Sequence, residues 1–168
     1  LQYADPDPES TVLVLGAGPI GDMVSRFALD AGHRVITVDR EPERLARVRE
    51  AVGGSGADLV AEFSGHPAAF AEGVEMAGLG ARYLVVGQLG SGTTPIAPGT
   101  ITKKNLTVIG SFSGDVSHYH KALVVLERYA DRLPFDRLIS GRYPLEEVNA
   151  VIGRMQAFQE IKPVLLPG

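Results

Sequence analysis

Thr11-Val-Leu-Val-Leu-Gly-Ala-Gly-Pro-Ile-Gly21 is the stretch that decides the fold, because an apolar run leads directly into three spaced glycines. Val12–Leu15 predicts a buried β-strand, and the residues from Pro19 onward have the apolar spacing of an amphipathic helix. A glycine-rich turn between a strand and a helix presents backbone N–H groups and the positive end of the helix dipole to a phosphate. The stretch therefore predicts the first strand–turn–helix unit of an α/β fold with an anion-binding turn.

The glycines of this turn have separate physical roles. Gly16 permits the sharp turn, Gly18 lets the backbone approach a pyrophosphate, and Gly21 lets the helix pack closely against the strand. Asp39 ends the next apolar run about 20 residues later, where a carboxylate accepts hydrogen bonds from both hydroxyls of an adenosine ribose. Such a carboxylate repels a 2′-phosphate, so the pattern predicts a dinucleotide site that favours NAD over NADP. We expect Asp22, directly after the turn, to point away from the ligand because its charge repels a pyrophosphate.

Two arginines leave alternatives open beside Asp39. Arg40 follows it directly, and an arginine at this point is able to receive the 2′-phosphate of NADP, which weakens the preference for NAD. Arg44 lies one turn into the next predicted helix, where it either reaches the ribose or adenine edge or remains a solvated helix residue. Pro19 and Ile20 complete the predicted turn, and proline suits the first position of a helix.

The composition excludes several classes of function. The chain has 168 residues, of which 45% are hydrophobic and 21% charged, as in a single globular domain. Its net charge of −4 argues against broad electrostatic binding to nucleic acid. No apolar run is long enough to span a bilayer, and no signal-peptide pattern is present. The chain contains no cysteine, which excludes disulfides and cysteine zinc sites. We expect a cytoplasmic protein with a small-molecule ligand, no nucleic acid partner and no membrane association.

Strand and helix patterns alternate along the chain. The predicted strands are Val12–Leu15, Arg34–Val38, Ala57–Phe63, Arg82–Val86, Asn105–Ser111 and Lys162–Leu166. The predicted helices are Pro19–Ala31, Pro42–Val52, Pro67–Ala77, Asp115–Arg132 and Leu145–Phe158, with loops at Gly53–Gly56 and residues 88–99. This alternation predicts a doubly wound parallel sheet covered by helices on both faces. Ligands of such sheets bind at the carboxyl ends of the strands, where the glycine turn and Asp39 also lie.

From Thr11 onward the chain resembles the coenzyme-binding half of the zinc-type medium-chain alcohol and polyol dehydrogenases. Five stretches in the family's order carry the resemblance. They are Val12-Leu-Val-Leu-Gly-Ala-Gly-Pro-Ile-Gly21, Gly56-Ala-Asp-Leu-Val-Ala-Glu-Phe-Ser-Gly-His-Pro67, Gly80-Ala-Arg-Tyr-Leu-Val-Val-Gly87, Lys104-Asn-Leu-Thr-Val-Ile-Gly-Ser111, and the tail Tyr143-Pro-Leu-Glu-Glu-Val148 with Ile161-Lys162. The resemblance implies a Rossmann-type NAD-binding domain over residues 11–168, with helix 145–158 and strand 162–166 as a C-terminal extension and residues 1–10 as a lead-in remnant. It implies hydride transfer between an alcohol and NAD in the full enzyme.

The resemblance also implies further cofactor-binding residues at the carboxyl ends of three strands. On the adenine side these are Phe63, Ser64 and His66, and on the nicotinamide side Val86, Gly87, Ser111 and Phe112. His66 is interpreted as a loop residue beside adenine rather than a catalytic base. No residue of the chain is predicted to be catalytic.

Two departures from the family limit what the resemblance implies. The family's barrel-like (GroES-like) zinc domain is expected to be absent, so this chain is expected to hold no metal, and the alcohol substrate is not specified. About one outer βα unit is also missing before Gly53–Gly56, either through a deletion or because a stretch of chain is absent from this sequence. The family pairs its sheets near residues 94–111, which implies a homodimer. We expect a fragment or a truncated chain, and its activity in isolation stays open.

Several alternatives remain at the level of sequence. The chain is either half of an enzyme or a non-catalytic NAD-binding module that pairs with another chain. An S-adenosylmethionine-dependent methyltransferase also combines a glycine-rich turn with an acidic residue after the second strand, and flavin enzymes do so in longer chains. His118-x-His120 with Asp115 suggests a metal cluster, but residues two apart on a helix point to different sides, which favours a helix-entry surface.

Overall fold

The computed structural model describes residues 6–39, 55–133, 135–157 and 159–168. Its contacts divide the chain into two compact units, with the division between Phe112 and Ser113. The predicted extent of the NAD-binding domain, residues 11–168, stays a prediction, and each unit is described here by itself.

The first unit is built on a five-stranded sheet in the order β2-β1-β3-β4-β5, and every strand pair is parallel. Its elements are β1 Thr11–Leu15, α1 Pro19–Asp30, β2 Arg34–Val38, β3 Ala57–Glu62, α2 Pro67–Met76, β4 Ala77–Val85, α3 Pro98–Lys103 and β5 Thr107–Gly110. The strand order reverses at β1 and β3, as in a doubly wound Rossmann sheet. The predicted α/β fold class is confirmed. Among the described residues β2 forms one edge of the sheet, and the predicted helix Pro42–Val52 and most of the loop Gly53–Gly56 lie outside them.

Both faces of this sheet are covered, as the unbroken apolar run in β1 predicts. Leu13 and Leu15 belong to one buried cluster, while Val12 and Val14 belong to another. Neighbouring residues of a strand point to opposite faces, so the two clusters lie on opposite sides of the sheet. All four side chains are at most 1% exposed. Each such side chain contributes roughly 1.5–3 kcal/mol of hydrophobic stabilisation, so β1 is the centre of the core.

The α2–β4 junction differs from the sequence prediction. We expected the helix to include Ala77 and the strand to begin at Arg82, but β4 begins at Ala77, directly after the helix. The Lys104 ammonium donates to the carbonyls of Val74, Glu75 and Ala77 at 3.0, 2.7 and 2.8 Å. Carbonyls at the end of a helix have no partner within the helix, and a cation there also complements the helix dipole. Lys104 therefore stabilises a junction that has no connecting loop.

Tyr83 of β4 is the largest buried side chain and lies beneath α2. Its hydroxyl donates to the carbonyls of Ala69 and Phe70, at 3.3 and 3.2 Å, and its ring stacks on Phe70 with centroids 5.2 Å apart. Burial raises the pKa of the hydroxyl, and the charges of Glu62 and Glu72 raise it further. The close approach needs Gly73, because a Cβ there would collide with the Tyr83 hydroxyl.

The second unit contains α4 Val116–Tyr129, β6 Gly141–Pro144, α5 Val148–Gln156 and β7 Pro163–Leu166, with short 3-10 turns at Phe135–Leu138 and Leu145–Glu147. β6 and β7 form a two-stranded parallel sheet. The sequence did not predict β6, and the predicted helix Leu145–Phe158 begins with a 3-10 turn, while Phe158 lies outside the described residues. The short helix α3 was also not predicted. It begins within the predicted loop 88–99.

A polar cluster joins the ends of β6 and β7. The Glu160 carboxylate accepts hydrogen bonds from the hydroxyls of Ser140 and Tyr143, and these bonds lower its pKa, the bond from Ser140 having the larger effect. The Arg154 guanidinium lies 4.5 Å from the centre of the Tyr143 ring, in the geometry of a cation–π contact. The Ser140 hydroxyl also accepts from the backbone N–H of Lys162 at 3.1 Å. The cluster links the two strands through side chains.

Candidate dinucleotide-binding site

The carboxyl ends of β1, β2 and β3 are joined by backbone hydrogen bonds that continue beyond the strands. The Gly16 N–H donates to the Val38 carbonyl at 2.7 Å, and the Phe63 N–H donates to the Leu15 carbonyl at 2.8 Å. The loops after these three strands therefore lie at one edge of the sheet. This is the edge at which open α/β sheets bind their ligands.

Glycine is required at two positions of the turn after β1. Gly16 has φ +104°, in the left-handed region, and a Cβ there would lie 2.8 Å from the Ser64 backbone nitrogen. At Gly21 a Cβ would collide with the carbonyl oxygen of Gly16. The turn closes tightly only because both side chains are absent. The structural roles that the sequence gives to Gly16 and Gly21 agree with this geometry.

Gly18 differs from these two because a Cβ there would meet nothing within 4 Å. Gly18 is the N-cap of α1, it makes no side-chain cap hydrogen bond, and Pro19 occupies the first turn with Ile20 exposed beside it. The first N–H groups of a helix have no partner within the helix, and they favour an anion. Gly18 therefore has open space above it, as a pyrophosphate-binding turn requires.

Acidic side chains flank this turn on two sides. Asp22 accepts a hydrogen bond from the Arg26 Nε at 2.7 Å, one helical turn along α1, in agreement with the expectation that it is not directed at a ligand. Asp39, directly after β2, instead accepts a hydrogen bond from the Ala17 N–H, with 2.9 Å between nitrogen and Oδ2. Its exposed carboxylate is therefore held against the glycine turn. Arg40 and Arg44, the two alternatives beside it, lie outside the described residues.

The loop after β3 contains the predicted adenine-side residues. Phe63 is half-buried and packs against the core cluster of Val12 and Val14, while Ser64 and His66 are exposed. The His66 N–H donates to the Ser64 hydroxyl oxygen at 3.2 Å, and its carbonyl accepts from the Gln88 amide at 2.9 Å. Gln88 therefore links this loop to the loop after β4.

The predicted nicotinamide-side residues follow β4 and β5. Val86 and Gly87 are partly buried, and the backbone N–H groups of both donate to the Glu62 carbonyl, at 3.1 and 3.0 Å. The Ser111 N–H donates to the Val85 carbonyl at 2.9 Å, and Phe112 is 81% exposed. The structure brings these residues to the carboxyl edge of the sheet, and their binding roles stay predictions.

Glu62 is a residue at this edge that the sequence did not single out. It ends β3 with 0% of its surface exposed, and its Oε1 accepts from the Ser64 hydroxyl at 2.6 Å and the Gly65 N–H at 2.8 Å. The sequence could have pointed to it, because a charged residue within the otherwise apolar run Leu59–Phe63 is unusual for a buried strand. Its place beneath two of the predicted binding loops makes it part of the candidate site.

The described residues contain no group of three or more histidine, cysteine or acidic side chains able to hold a metal ion. The suggested cluster at His118-x-His120 is a helix start: the Asp115 carboxylate accepts from the N–H groups of Ser117 and His118 at 2.8 and 3.2 Å. The His118 ring also forms a hydrogen bond with the Asp115 carboxylate, with 2.9 Å between Nδ1 and Oδ1. Within the described ranges, no helix has the length and apolar character needed to cross a membrane.

The glycine turn, the open N-terminus of α1 and Asp39 define a dinucleotide-binding domain of the Rossmann type. A family model described as zinc-binding dehydrogenase matches residues 45–128, half of the chain. The chain belongs to this family, as the sequence stretches implied. The match supports a dehydrogenase domain over the methyltransferase alternative.

Individual relatives agree with this assignment. The chain is 34% identical to a 5-exo-hydroxycamphor dehydrogenase of Pseudomonas putida over 94% of its length, which covers 50% of that protein. An alcohol dehydrogenase structure from Thermus sp. ATN1 matches with a TM-score of 0.86 at 27% identity, covering 100% of this chain and 55% of that one. An alcohol dehydrogenase of Escherichia coli CFT073, solved with NADH, shares the fold at a TM-score of 0.76 and 20% identity, covering 98% of this chain and 53% of that one. The chain spans about half the length of the relatives it matches.

Proposed function

We propose that this chain binds NAD and is the coenzyme-binding part of an enzyme that transfers hydride between an alcohol and NAD. The family makes an NAD(P) site the expected function of the domain. When bound, the nicotinamide ring accepts or returns the hydride. The residues of this chain orient the cofactor: the glycine turn receives the pyrophosphate, and Asp39 receives the adenosine ribose.

One observation carries the choice of NAD over NADP. The Asp39 carboxylate is held 2.9 Å from the Ala17 nitrogen, beside the turn that would receive the pyrophosphate. A carboxylate at this position accepts hydrogen bonds from ribose hydroxyls and repels the 2′-phosphate of NADP. The residue is exposed.

Calorimetric titration with NAD⁺ and NADP⁺ tests the proposal on the 168-residue chain. We expect NAD⁺ to bind at least about tenfold more tightly, since one repelled charge is worth on the order of 1.4 kcal/mol or more. Asp39→Asn should narrow this ratio, because it removes the charge and keeps an acceptor. Asp22→Asn is the matched control and should leave the ratio unchanged. Binding of neither nucleotide would refute the cofactor proposal, and tighter binding of NADP⁺ would refute the role of Asp39.

We also propose that the chain forms a homodimer through the sheet edge near residues 94–111. Among the described strands β5 pairs only with β4, so one of its edges is unpaired, and Val108 on it is 40% exposed. An unpaired edge is a site where a second sheet adds. Light scattering should give a dimer for the parent chain and a monomer for Val108→Lys. Leu79→Lys is the control, because Leu79 is an exposed apolar residue of the neighbouring strand β4, and this variant should remain a dimer. A monomeric parent chain would refute the proposal.

We propose a cytoplasmic location and small-molecule partners for the protein. The sequence contains no cysteine and so no disulfide, in agreement with a reducing compartment. The net charge of −4 does not favour nucleic acid. Fractionation of the source cells checks the location.

A further inference from the structure

We infer that Glu62 is a positioning residue that holds the two cofactor-binding loops after β3 and β4 in one arrangement. The inference rests on the proposed NAD site, whose residues lie in these loops. Glu62 does not reach the surface, since 0% of it is exposed. It therefore acts on a ligand through the loops above it.

The carboxylate holds the loop after β3 through one oxygen. Oε1 accepts from the Ser64 hydroxyl and the Gly65 N–H, at 2.6 and 2.8 Å. The Ser64 hydroxyl oxygen in turn accepts from the His66 N–H at 3.2 Å. A single oxygen thus orders three consecutive residues, two of which are predicted to contact the adenine side of the cofactor.

The same residue holds the loop after β4 through its backbone carbonyl. The Glu62 carbonyl accepts from the N–H groups of Val86 and Gly87, at 3.1 and 3.0 Å. Oε2 has no hydrogen-bond partner among the described residues, and it lies 3.1 Å from the position that a Cβ on Gly87 would occupy. A buried acceptor without a partner is unfavourable by itself, so Oε1 and the backbone carbonyl make the favourable hydrogen bonds of this residue.

The two loops also contact each other directly above the carboxylate. A Cβ on Gly87 would lie 2.5 Å from the Gly65 nitrogen, and a Cβ on Gly65 would lie 2.7 Å from the Gly87 oxygen. Backbone therefore packs on backbone, with no side chain between the loops. A shift of one loop must move the other, so the Glu62 side chain, which holds the loop after β3, also affects the loop after β4.

Two conservative variants separate the reach of the side chain from its charge. Glu62→Gln keeps the length and an oxygen acceptor but removes the charge, whereas Glu62→Asp keeps the charge and shortens the side chain by one methylene. We measure the dissociation constants of NAD⁺ and of ADP-ribose, which lacks the nicotinamide, by calorimetry. Thermal unfolding of each variant is measured in parallel.

A positioning role predicts that Glu62→Gln binds both ligands within about threefold of the parent. Glu62→Asp should weaken both by about tenfold or more, since it loses a hydrogen-bond network to a charged group. Tyr83→Phe is the matched control, because Tyr83 is a buried polar residue of the neighbouring strand whose hydroxyl bonds to carbonyls of α2 and not to these loops. It should lower the melting temperature and leave both dissociation constants unchanged.

Each other result overturns the inference. Weak binding by Glu62→Gln with normal binding by Glu62→Asp would show that charge, not reach, is required. Unchanged affinities in both variants, whatever their melting temperatures, would leave Glu62 with a structural role only. If Glu62→Asp does not fold, slow hydrogen exchange of the Gly65 N–H in the parent and in Glu62→Gln supports the inference, and fast exchange contradicts it. Failure of the proposed function appears separately, as absence of NAD⁺ binding in the parent chain.

Discussion

Lys104→Met tests the account of the α2–β4 junction. The substitution keeps an apolar stem of similar length and removes the ammonium, which donates to the carbonyls of Val74, Glu75 and Ala77. These carbonyls belong to the last turn of α2 and the first residue of β4, where no loop separates the two elements. The variant therefore isolates the contribution of one cation to a helix end.

The structure gives the size of the expected effect. Hydrogen bonds that involve a charged group contribute about 1.5–3 kcal/mol, and a cation at a helix C-terminus adds about 0.3–1 kcal/mol. Lys104 is only partly buried, so water replaces some of the lost donors. We expect the free energy of unfolding to fall by about 2 kcal/mol, which lowers the melting temperature by roughly 4–8 °C for a chain of this size.

Thermal unfolding followed by circular dichroism measures this loss. Lys103→Met is the matched control, because Lys103 is the adjacent lysine and is exposed at the end of α3. A surface substitution of that kind changes stability by no more than about 0.5 kcal/mol. If Lys104→Met is no more destabilising than Lys103→Met, the ammonium does not stabilise the junction and the reasoning is refuted.

Two further predictions concern the glycine turn and the start of α4. Gly18→Ala should change the free energy of unfolding by no more than about 0.5 kcal/mol but weaken NAD⁺ binding in calorimetry. Gly21→Ala should also lower the melting temperature, because its Cβ collides with the Gly16 carbonyl oxygen. Equal melting temperatures of the two variants would contradict this difference. The Ser117 hydroxyl and then the His118 N–H lower the pKa of Asp115 from 3.8 to about 2. Because the pKa of Asp115 is lower in the folded than in the unfolded chain, the charged carboxylate stabilises the fold above about pH 4. This stabilisation is lost as the pH falls toward about 2. Urea unfolding should therefore show that Asp115→Ala is less destabilising, relative to the parent chain, at pH 3 than at pH 6. An equal loss of unfolding free energy at both pH values would contradict the helix-capping role of Asp115.

Local patterns predicted most of the elements that carry the candidate site. The apolar run before Gly16 predicted β1, and the spacing of apolar residues after Pro19 predicted α1. The helix ends at Asp30, one residue before the predicted end at Ala31. These predictions succeed because burial on both sheet faces requires continuous apolar runs, and because a glycine turn has few possible conformations. The site edge also follows from sequence, since parallel strands place their carboxyl ends together.

The errors lie where contacts between distant residues decide the structure. We expected β4 to begin at Arg82, because a strongly β-prone run starts there. The strand begins at Ala77, since Lys104, more than 20 residues away, satisfies the carbonyls at the helix end. β6 was likewise missed because its partner is β7, which follows only after α5. Neither partner is visible in a local window.

The amino-acid sequence by itself determined the fold class, the glycine turn and the acidic residue after β2, because each depends on residues that are neighbours along the chain. Only the tertiary structure placed the Asp39 carboxylate against the Ala17 N–H and buried Glu62 beneath the loops after β3 and β4. The physical reason is that the role of a carboxylate depends on what surrounds it in space: the donor to Asp39 lies in the turn after β1, and Glu62 is buried where the loops after β3 and β4 pack together. Sequence predicted where a dinucleotide would bind, and the three-dimensional packing decided which side chains hold the binding loops in place.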